Sequence, residues 1–265
     1  MGADMTPILL LGAGRMGGAM LAGWRRTGAF AASDLMIRDL KPSAAVIASG
    51  ALLDPDPVAM GRARTVVLVV KPQDWRAAAA PVAPHLAPDA VIVSIAAGVA
   101  AADLAAGFGG RPVARVMPTT AAAIGEGTAS VFAADAQARA RAHALFEPLG
   151  TVVDLADEDL MHAATAVSGS APAYLYAFVE ALQAAGVALG LAPEAARSLA
   201  RATTVGAAAL MAASGEEAAA LRQQVTSPGG TTEAALNVLM GEGGLGPLLK
   251  EAAAAAEARS RELGK

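Results

Sequence analysis

Two glycine-containing loops in this sequence have residue types and spacings that suit anion binding. The first is Gly12-Ala13-Gly14-Arg15-Met16-Gly17, which directly follows an apolar run and opens a predicted helix that Gly28 would end. In that context Gly12 makes the turn, Gly14 lets the backbone approach a pyrophosphate, and Gly17 lets the helix pack on the strand. We interpret loop 12–17 as a dinucleotide-binding loop rather than a plain tight turn.

The second loop is Val225-Thr226-Ser227-Pro228-Gly229-Gly230-Thr231-Thr232-Glu233. A Pro-Gly-Gly turn that enters a helix leaves backbone N–H groups unpaired at the positive end of the helix dipole. We expect Gly229, Gly230 and Thr231 to present such groups to an anion. Hydroxyl groups from the serine and threonines make the loop suitable for a carboxylate, whereas the alternative, a well-capped helix start, needs only one hydroxyl.

Further candidates follow predicted strands, where ligands bind in open α/β sheets. Asp39 ends the second strand, where an acid accepts hydrogen bonds from a ribose 2′-hydroxyl and repels a 2′-phosphate. It therefore favours NADH over NADPH, unless it forms a solvated pair with Arg38. Val70-Lys71-Pro72 and Ala96 follow the next two strands, and a solvated loop lysine is the alternative for Lys71.

A third motif, Ser168-Gly169-Ser170, interrupts a predicted hydrophobic helix. Ser170 could cap a resumed helix that carries Pro172 near its start. Because these residues weaken a helix interior, close approach of a ligand explains them better.

The elements that must position these residues differ between the two halves of the chain. Short continuous apolar runs predict strands buried on both faces, as in a parallel sheet covered by helices; they are Ile8–Leu11, Leu35–Ile37, Val66–Val70, Val91–Ile95 and Val113–Met117. After Asp157 the pattern is helical throughout. We predict an α/β dinucleotide-binding domain over residues 1–157 and an all-α domain over residues 158–265.

Composition excludes several classes of function. The 265 residues carry a net charge of −4 with no basic stripe, so nucleic acid is not an expected partner. The absence of cysteine and the spacing of the three histidines argue against a metal site. No apolar stretch is long enough to span a membrane, and no signal peptide is evident, so we expect a cytoplasmic protein.

Together these motifs resemble the pyrroline-5-carboxylate reductase family, which reduces a cyclic imine with NAD(P)H to complete proline synthesis. The matching segments, in the family's order, are loop 12–17, Val70-Lys71-Pro72-Gln73, Arg115-Val116-Met117-Pro118, Ser168–Tyr174 and Leu221–Thr232. They span nearly the whole chain, and Val225–Thr232 is the most specific. The resemblance implies a Rossmann-type N-terminal domain and a helical C-terminal domain that dimerises, often with larger rings of dimers.

The resemblance also implies roles for individual residues. The Ser227–Thr231 loop would hold the substrate carboxylate, Thr232 would lie near the ring nitrogen, and Ser170 belongs to the segment beside the nicotinamide. Thr232 and Ser170 are therefore the catalytic candidates. The loop, the strand ends and the resemblance together give these candidate cofactor-binding residues: Gly12, Gly14, Arg15, Met16, Gly17, Asp39, Val70, Lys71, Pro72, Ala96, Met117, Pro118 and Thr119.

The scarcity of acid–base groups in the helical half fits reduction of an imine. Carbonyl reduction normally needs a proton donor such as lysine, but this half has no lysine before Lys250, which disfavours hydroxy-acid dehydrogenases. An imine nitrogen can be protonated before hydride arrives, so the Thr232 hydroxyl and a well-placed nicotinamide suffice. We predict reduction of 1-pyrroline-5-carboxylate to L-proline with NADH or NADPH.

Two alternatives stay open at this point. One is a reductase of another cyclic imino acid, and the other is a catalytically silent NAD(P)-binding regulatory protein. Thr119 stands where the family usually has asparagine, and Ala171 where it has glycine. These departures keep the silent alternative open, whereas the complete 225–232 loop argues against it.

Overall fold

The N-terminal half of the chain is built on an eight-stranded sheet. The computed structural model describes residues 5–263. The strands are β1 Ile8–Leu11, β2 Leu35–Arg38, β3 Leu52–Leu53, β4 Thr65–Leu68, β5 Val91–Ser94, β6 Val113–Pro118, β7 Gly127–Phe132 and β8 Gly150–Asp154. Their order in the sheet is β3-β2-β1-β4-β5-β6-β7-β8.

The sheet is mixed rather than parallel throughout, which corrects the sequence-based prediction. Strands β1 to β6 pair in parallel, but β7 runs antiparallel to β6 and parallel to β8. All five predicted strands are confirmed, with ends that differ by up to two residues. Strands β3, β7 and β8 were not predicted.

The helices of the described residues are α1 Arg15–Thr27, α2 Ala44–Ile47, α3 Pro57–Met60, α4 Trp75–Ala79, α5 Ala101–Gly107, α6 Ala136–Phe146, α7 Leu160–Ala164, α8 Ala171–Ala188, α9 Pro193–Ser214, α10 Ala218–Gln224, α11 Thr231–Leu239 and α12 Leu245–Leu263. Gly28 ends α1 in the left-handed conformation, as its position in the sequence predicts. Short 3-10 helices occupy Ala32–Asp34, Pro72–Asp74, Ala83–His85, Thr120–Ile124 and Glu147–Leu149.

The core lies on both faces of the sheet, which explains why its central strands are continuous apolar runs. In β1, Ile8 and Leu10 pack into one cluster with Trp24 of α1. Leu9 and Leu11 pack into the opposite cluster with Trp75 of α4. A strand buried on both faces needs apolar side chains at every position.

The described residues beyond β8 contain no strand, which confirms the prediction of a helical C-terminal half. The chain makes one turn of π-helix over Thr165–Gly169 between α7 and α8. The predicted interruption of the helix therefore takes this form. Within residues 5–263, no helix combines the length and apolar character that crossing a membrane requires.

Contacts between Cα atoms divide the chain into two units. The first runs through Gly169 and regains the chain from Ala255 onward, and the second is Ser170–Ala254. The sequence-based boundary after residue 157 lies within the first unit, close to the start of α7. It stays a prediction of where the helical domain begins.

Candidate active site

The glycine loop lies at the point where the strand order reverses direction. Strand β1 has β2 on one side and β4 on the other, so loop 12–17 opens at the carboxyl ends of parallel strands. Gly12 has a φ of +93°, and a Cβ there would lie 2.8 Å from the Val69 carbonyl oxygen. A Cβ at Gly14, by contrast, would meet no atom within 4 Å. Gly12 therefore serves the turn, whereas Gly14 faces open space at the start of α1.

Asp39 is hydrogen-bonded to the backbone of two segments. Its Oδ2 accepts the Ala13 N–H at 2.5 Å, and its Oδ1 accepts the Lys41 N–H at 2.7 Å. The Gly12 N–H donates to the Arg38 carbonyl at 2.8 Å. The end of β2 therefore holds the glycine loop in place, a function of Asp39 that the sequence did not indicate.

A cavity of about 380 Å³ opens beside this loop. Its lining residues are Leu11, Gly12, Arg38, Asp39, Leu40, Asp54, Val70, Asp74, Ala77, Ala78 and Pro81. They include one guanidinium and three carboxylates within a mainly apolar wall. The glycine backbone, the open α1 N-terminus and this cavity together fit the adenosine and pyrophosphate portions of a dinucleotide.

Candidates from the later strands lie at the same edge of the sheet. Pro118 and Thr119 are buried at the end of β6. The Thr119 hydroxyl oxygen accepts the Thr128 N–H at 3.0 Å, so it supports the connection between β6 and β7. After β5, the Ala96 N–H donates to the Ser94 hydroxyl oxygen at 3.2 Å. Lys71, after β4, is exposed.

The π-helix also lies against this end of β6. A Cβ at Gly169 would lie 3.3 Å from the Sδ of Met117, so the glycine permits close contact of backbone and side chain. The Ser168 hydroxyl donates to the Ala164 carbonyl at 2.8 Å. The Ser168-Gly169 motif and the candidate Met117 are therefore neighbours.

An ion pair that was not predicted holds the base of this region. The buried guanidinium of Arg115 donates to Oε1 of Glu158 at 2.7 Å, and the Ala101 N–H donates to the same oxygen at 2.6 Å. Burial, with the charges of Arg261 and Arg115, lowers the pKa of nearby His162. Glu158 thus joins β6 and the start of α5 to the segment that leads into α7.

The hydroxyl-rich loop of the second unit contains a tight turn. The Gly230 N–H donates to the Ser227 carbonyl at 3.0 Å, and the Gly229 N–H donates to Oε2 of Glu233 at 2.7 Å. Both glycine N–H groups therefore have internal partners, which the sequence did not predict. Gly229 has a φ of +69°, a left-handed conformation that favours glycine.

The unused donors of this loop lie one turn further along. Within residues 5–263, no hydrogen bond is made by the backbone N–H groups of Thr231, Thr232 and Glu233 or by the hydroxyls of Ser227, Thr231 and Thr232. They surround the N-terminus of α11, where the helix dipole favours an anion. This set of donors suits a carboxylate.

Ser170 and Tyr174 begin α8 in the second unit. Ser170 precedes the helix but makes no side-chain capping bond. The Tyr174 hydroxyl is buried and has no hydrogen-bond partner in the described part of the chain. The explanation of Ser170 as a conventional helix cap therefore has no support in the structure, and its proposed place beside the nicotinamide stays a prediction.

Three kinds of site residue escaped the sequence analysis. Asp54 and Asp74 line the cavity from separate segments, and no local pattern marked either of them. Glu158 acts through a contact 43 residues away in sequence. Glu233 had a detectable signal, because an acid at the third position of a helix commonly bonds back to the preceding loop.

Comparison with known proteins identifies related chains. Residues 158–263 match the family model described as pyrroline-5-carboxylate reductase dimerisation, and residues 7–98 match that of NADP oxidoreductase, coenzyme F420-dependent. The pyrroline-5-carboxylate reductase of Pseudomonas aeruginosa is 40% identical over 97% of both chains. That of Pisum sativum is 35% identical over 98% of this chain and 97% of its own.

Solved structures show the same similarity. A pyrroline-5-carboxylate reductase from Coxiella burnetii superposes with a TM-score of 0.89 at 30% identity, covering 99% of this chain and all of its own. The Plasmodium falciparum pyrroline carboxylate reductase with NADP bound gives a TM-score of 0.85 at 24% identity over the whole of both chains. At that identity, the second similarity concerns the fold alone.

Proposed function

The chain belongs to the pyrroline-5-carboxylate reductase family, and we infer that it is an NAD(P)H-dependent oxidoreductase that reduces 1-pyrroline-5-carboxylate to L-proline in proline biosynthesis. The observation that carries this conclusion is the set of unused donors at the start of α11, in a chain with family similarity along its whole length. Nothing in the comparisons favours a different cyclic imine or a silent regulatory protein.

We propose that the loop at the start of α11 holds the substrate carboxylate. The Thr231 and Thr232 N–H groups and the Ser227 hydroxyl are its donors in this structure. Gly229 and Gly230 shape the loop, since their own N–H groups are bonded internally. The predicted carboxylate site is therefore retained, with its donors moved from the glycines to the first turn of the helix.

The Thr232 hydroxyl is the group that we assign to the ring nitrogen, with Ser170 as a second candidate for catalysis. Bound reduced nicotinamide supplies a hydride to the imine carbon. The imine nitrogen takes its proton from solvent or from a hydroxyl, so the protein mainly orients the substrate. A hydroxyl without an internal partner, as Thr232 has here, is free to donate to that nitrogen.

For the cofactor, we propose that the glycine loop and the α1 N-terminus hold the pyrophosphate and that the 380 Å³ cavity holds the adenosine portion. Lys71, Pro72, Ala96 and the 117–119 segment remain candidates for contacts with the rest of the cofactor. Three carboxylates against one guanidinium in the cavity support NADH over NADPH, because a 2′-phosphate would add negative charge there.

We propose residues 158–265 as the substrate-binding and dimerisation domain and residues 1–157 as the dinucleotide-binding domain. The family model over residues 158–263 supports the first of these limits and a homo-oligomer. A ring of dimers and a cytoplasmic location stay predictions.

Steady-state kinetics with 1-pyrroline-5-carboxylate test the function and the role of Thr232. Thr232→Val keeps the shape of the side chain and removes the hydroxyl, so kcat should fall more than KM rises, by about 10²-fold, the lower end of general-acid effects. Thr226→Val is the matched control, because the Thr226 hydroxyl donates to the Arg222 carbonyl. A Thr232→Val enzyme with wild-type kcat would leave the loop as a binding site only.

Gly230→Val tests the loop as the carboxylate site. A Cβ at Gly230 would lie 2.9 Å from the Ser227 carbonyl oxygen, so the turn must open. We expect a steep rise in KM for the imine with unchanged affinity for NADH, measured by titration. An unchanged KM would remove the loop from the substrate site. A wild-type enzyme that oxidises neither NADH nor NADPH with this substrate would contradict the function itself.

A further inference from the structure

The side chain of Glu233 reaches back from the first turn of α11 to the loop before the helix. Its Oε2 accepts the Gly229 N–H at 2.7 Å. In the common capping box, an acid at this third helical position bonds the N–H of the N-cap residue. Here the N-cap is Gly230, and its N–H donates to the Ser227 carbonyl instead. Glu233 therefore holds the turn rather than the helix end.

The turn that Glu233 holds has the features of type II. Pro228 stands at its second position, Gly229 at its third with a φ of +69°, and the Gly230 N–H closes it onto the Ser227 carbonyl. Type I and type II turns share that closing bond and differ in the orientation of the central peptide. The Gly229 N–H belongs to this central peptide, so its bond to Glu233 selects one orientation.

The orientation matters for the donors beside it. A flipped peptide would turn the Pro228 carbonyl oxygen toward the Glu233 carboxylate and replace an N–H with a partial negative charge. That charge would oppose an anion at the free N–H groups of Thr231 and Thr232. The flip would also move the Ser227 hydroxyl, which stands on the first residue of the turn.

We propose that Glu233 is a positioning residue, which fixes the Ser227–Gly230 turn and so sets the geometry of the substrate-carboxylate site. This inference rests on the proposed function of the loop. Glu233 is itself an anion at the start of the helix, so its charge opposes the substrate while its oxygen orders the loop. Glutamine retains an acceptor oxygen and removes the charge, and alanine removes both.

The experiment compares wild type with Glu233→Ala and Glu233→Gln by steady-state kinetics with 1-pyrroline-5-carboxylate and saturating NADH. For Glu233→Ala we expect KM to rise about tenfold, the effect of losing one charge-assisted hydrogen bond, with kcat within about twofold and unchanged affinity for NADH. For Glu233→Gln we expect a KM at or below that of wild type.

Two controls separate positioning from a general loss of structure. Glu242→Ala removes an exposed carboxylate from the same unit that forms no hydrogen bond within residues 5–263, and should leave KM unchanged. Thermal unfolding of each variant should remain close to that of wild type, because Glu233 lies at the surface.

The outcomes distinguish this inference from the function on which it rests. A Glu233→Ala enzyme with wild-type KM would overturn the role of Glu233 while leaving the function intact. The same holds if Glu233→Gln shows the raised KM of Glu233→Ala, since its acceptor would then not rescue the turn. A wild-type protein inactive with this substrate would overturn both.

Discussion

Asp39 shows how one side chain can serve both the fold and cofactor choice. Sequence reasoning predicted an acid at the end of β2 that faces the ribose, and the structure adds its bond to the Ala13 N–H. The position followed from the strand and glycine pattern, whereas the bond depends on how loop 12–17 closes over β2. Local patterns locate such residues but do not reveal which backbone groups they pair with.

Replacing Asp39 should therefore have two effects. Asp39→Ser removes the repulsion of a 2′-phosphate, so the kcat/KM ratio of NADPH to NADH should rise, and less so at high salt. It also frees the Ala13 N–H, so affinity for both nucleotides should fall. Asp39→Asn is the matched variant, because it retains an acceptor oxygen and removes the charge. A wild-type preference for NADPH of tenfold or more would contradict this assignment.

His143 should make stability depend on pH. A hydrogen bond to Glu147 at 2.9 Å, followed by one to Asp154 at 3.1 Å, raises the pKa of His143 above its usual 6.5. The protonated form is favoured in the folded state, so its stabilisation is complete below pH 6.5 and is lost as the pH rises through the higher folded-state pKa. Because the pairs lie at the surface, the effect should be below about 1 kcal/mol.

Urea unfolding of wild type and His143→Gln at pH 5.5 and 8.5 measures this effect. The difference between the two proteins should be larger at pH 5.5. NMR titration of the His143 ring checks the cause directly, and a folded-state pKa at or below 6.5 would contradict the assignment.

The strands show which elements the sequence could predict. β1, β4 and β5 are buried at every position, so each appears as a continuous apolar run. β8 alternates between partly buried and exposed residues, and β3 is only two residues long. β7 contains Gly, Thr and Ser, and the reversal that makes it antiparallel comes from tertiary pairing with β6. Patterns chosen for two-sided burial do not detect such strands.

The start of α1 allows a test of the cofactor site that does not disturb the fold. Gly14→Val should abolish nucleotide binding, because the side chain would occupy the space in which the pyrophosphate meets the backbone. A Cβ at either Gly14 or Gly18 would meet no atom within 4 Å, so Gly18→Val is a control of equal size in the same helix. Calorimetric titration with NADH and NADPH should show loss of binding for Gly14→Val alone, and unchanged affinity would remove the loop from the site.

At the scale of the whole molecule, the two-part plan and the helical half followed from the sequence, but the division of the chain did not. Sequence texture changes near residue 157, whereas contacts place α7 and the π-helix with the sheet and return the end of α12 to it. The Arg261 guanidinium donates to Asp159 at 2.8 Å, and the His162 ring lies 2.9 Å from the Ser260 hydroxyl. Pairs about 100 residues apart leave no local signal.

The helical half requires a second copy to cover its apolar side chains. α8, α10 and α11 contain no buried residue, and α9 buries only Ala196 and Ala200. The large apolar side chains exposed on these four helices include Leu175, Phe178, Leu182, Leu199, Val205, Leu210, Val238 and Leu239. Exposed apolar surface of this extent marks an interface, and the family model for residues 158–263 is a dimerisation domain.

Light scattering at micromolar concentration should therefore give a mass of at least twice 26.2 kDa. Val205→Glu places a charge in the exposed apolar face of α9 and should shift the mass toward the monomer, with a Tm that is lower and less dependent on protein concentration. Val58→Glu is the matched control, because Val58 is equally exposed on α3, at 68% against 69% for Val205, outside the helical half. A wild-type mass near 26 kDa would contradict the dimer. Equal shifts in both variants would mean that the loss of assembly is not specific to α9.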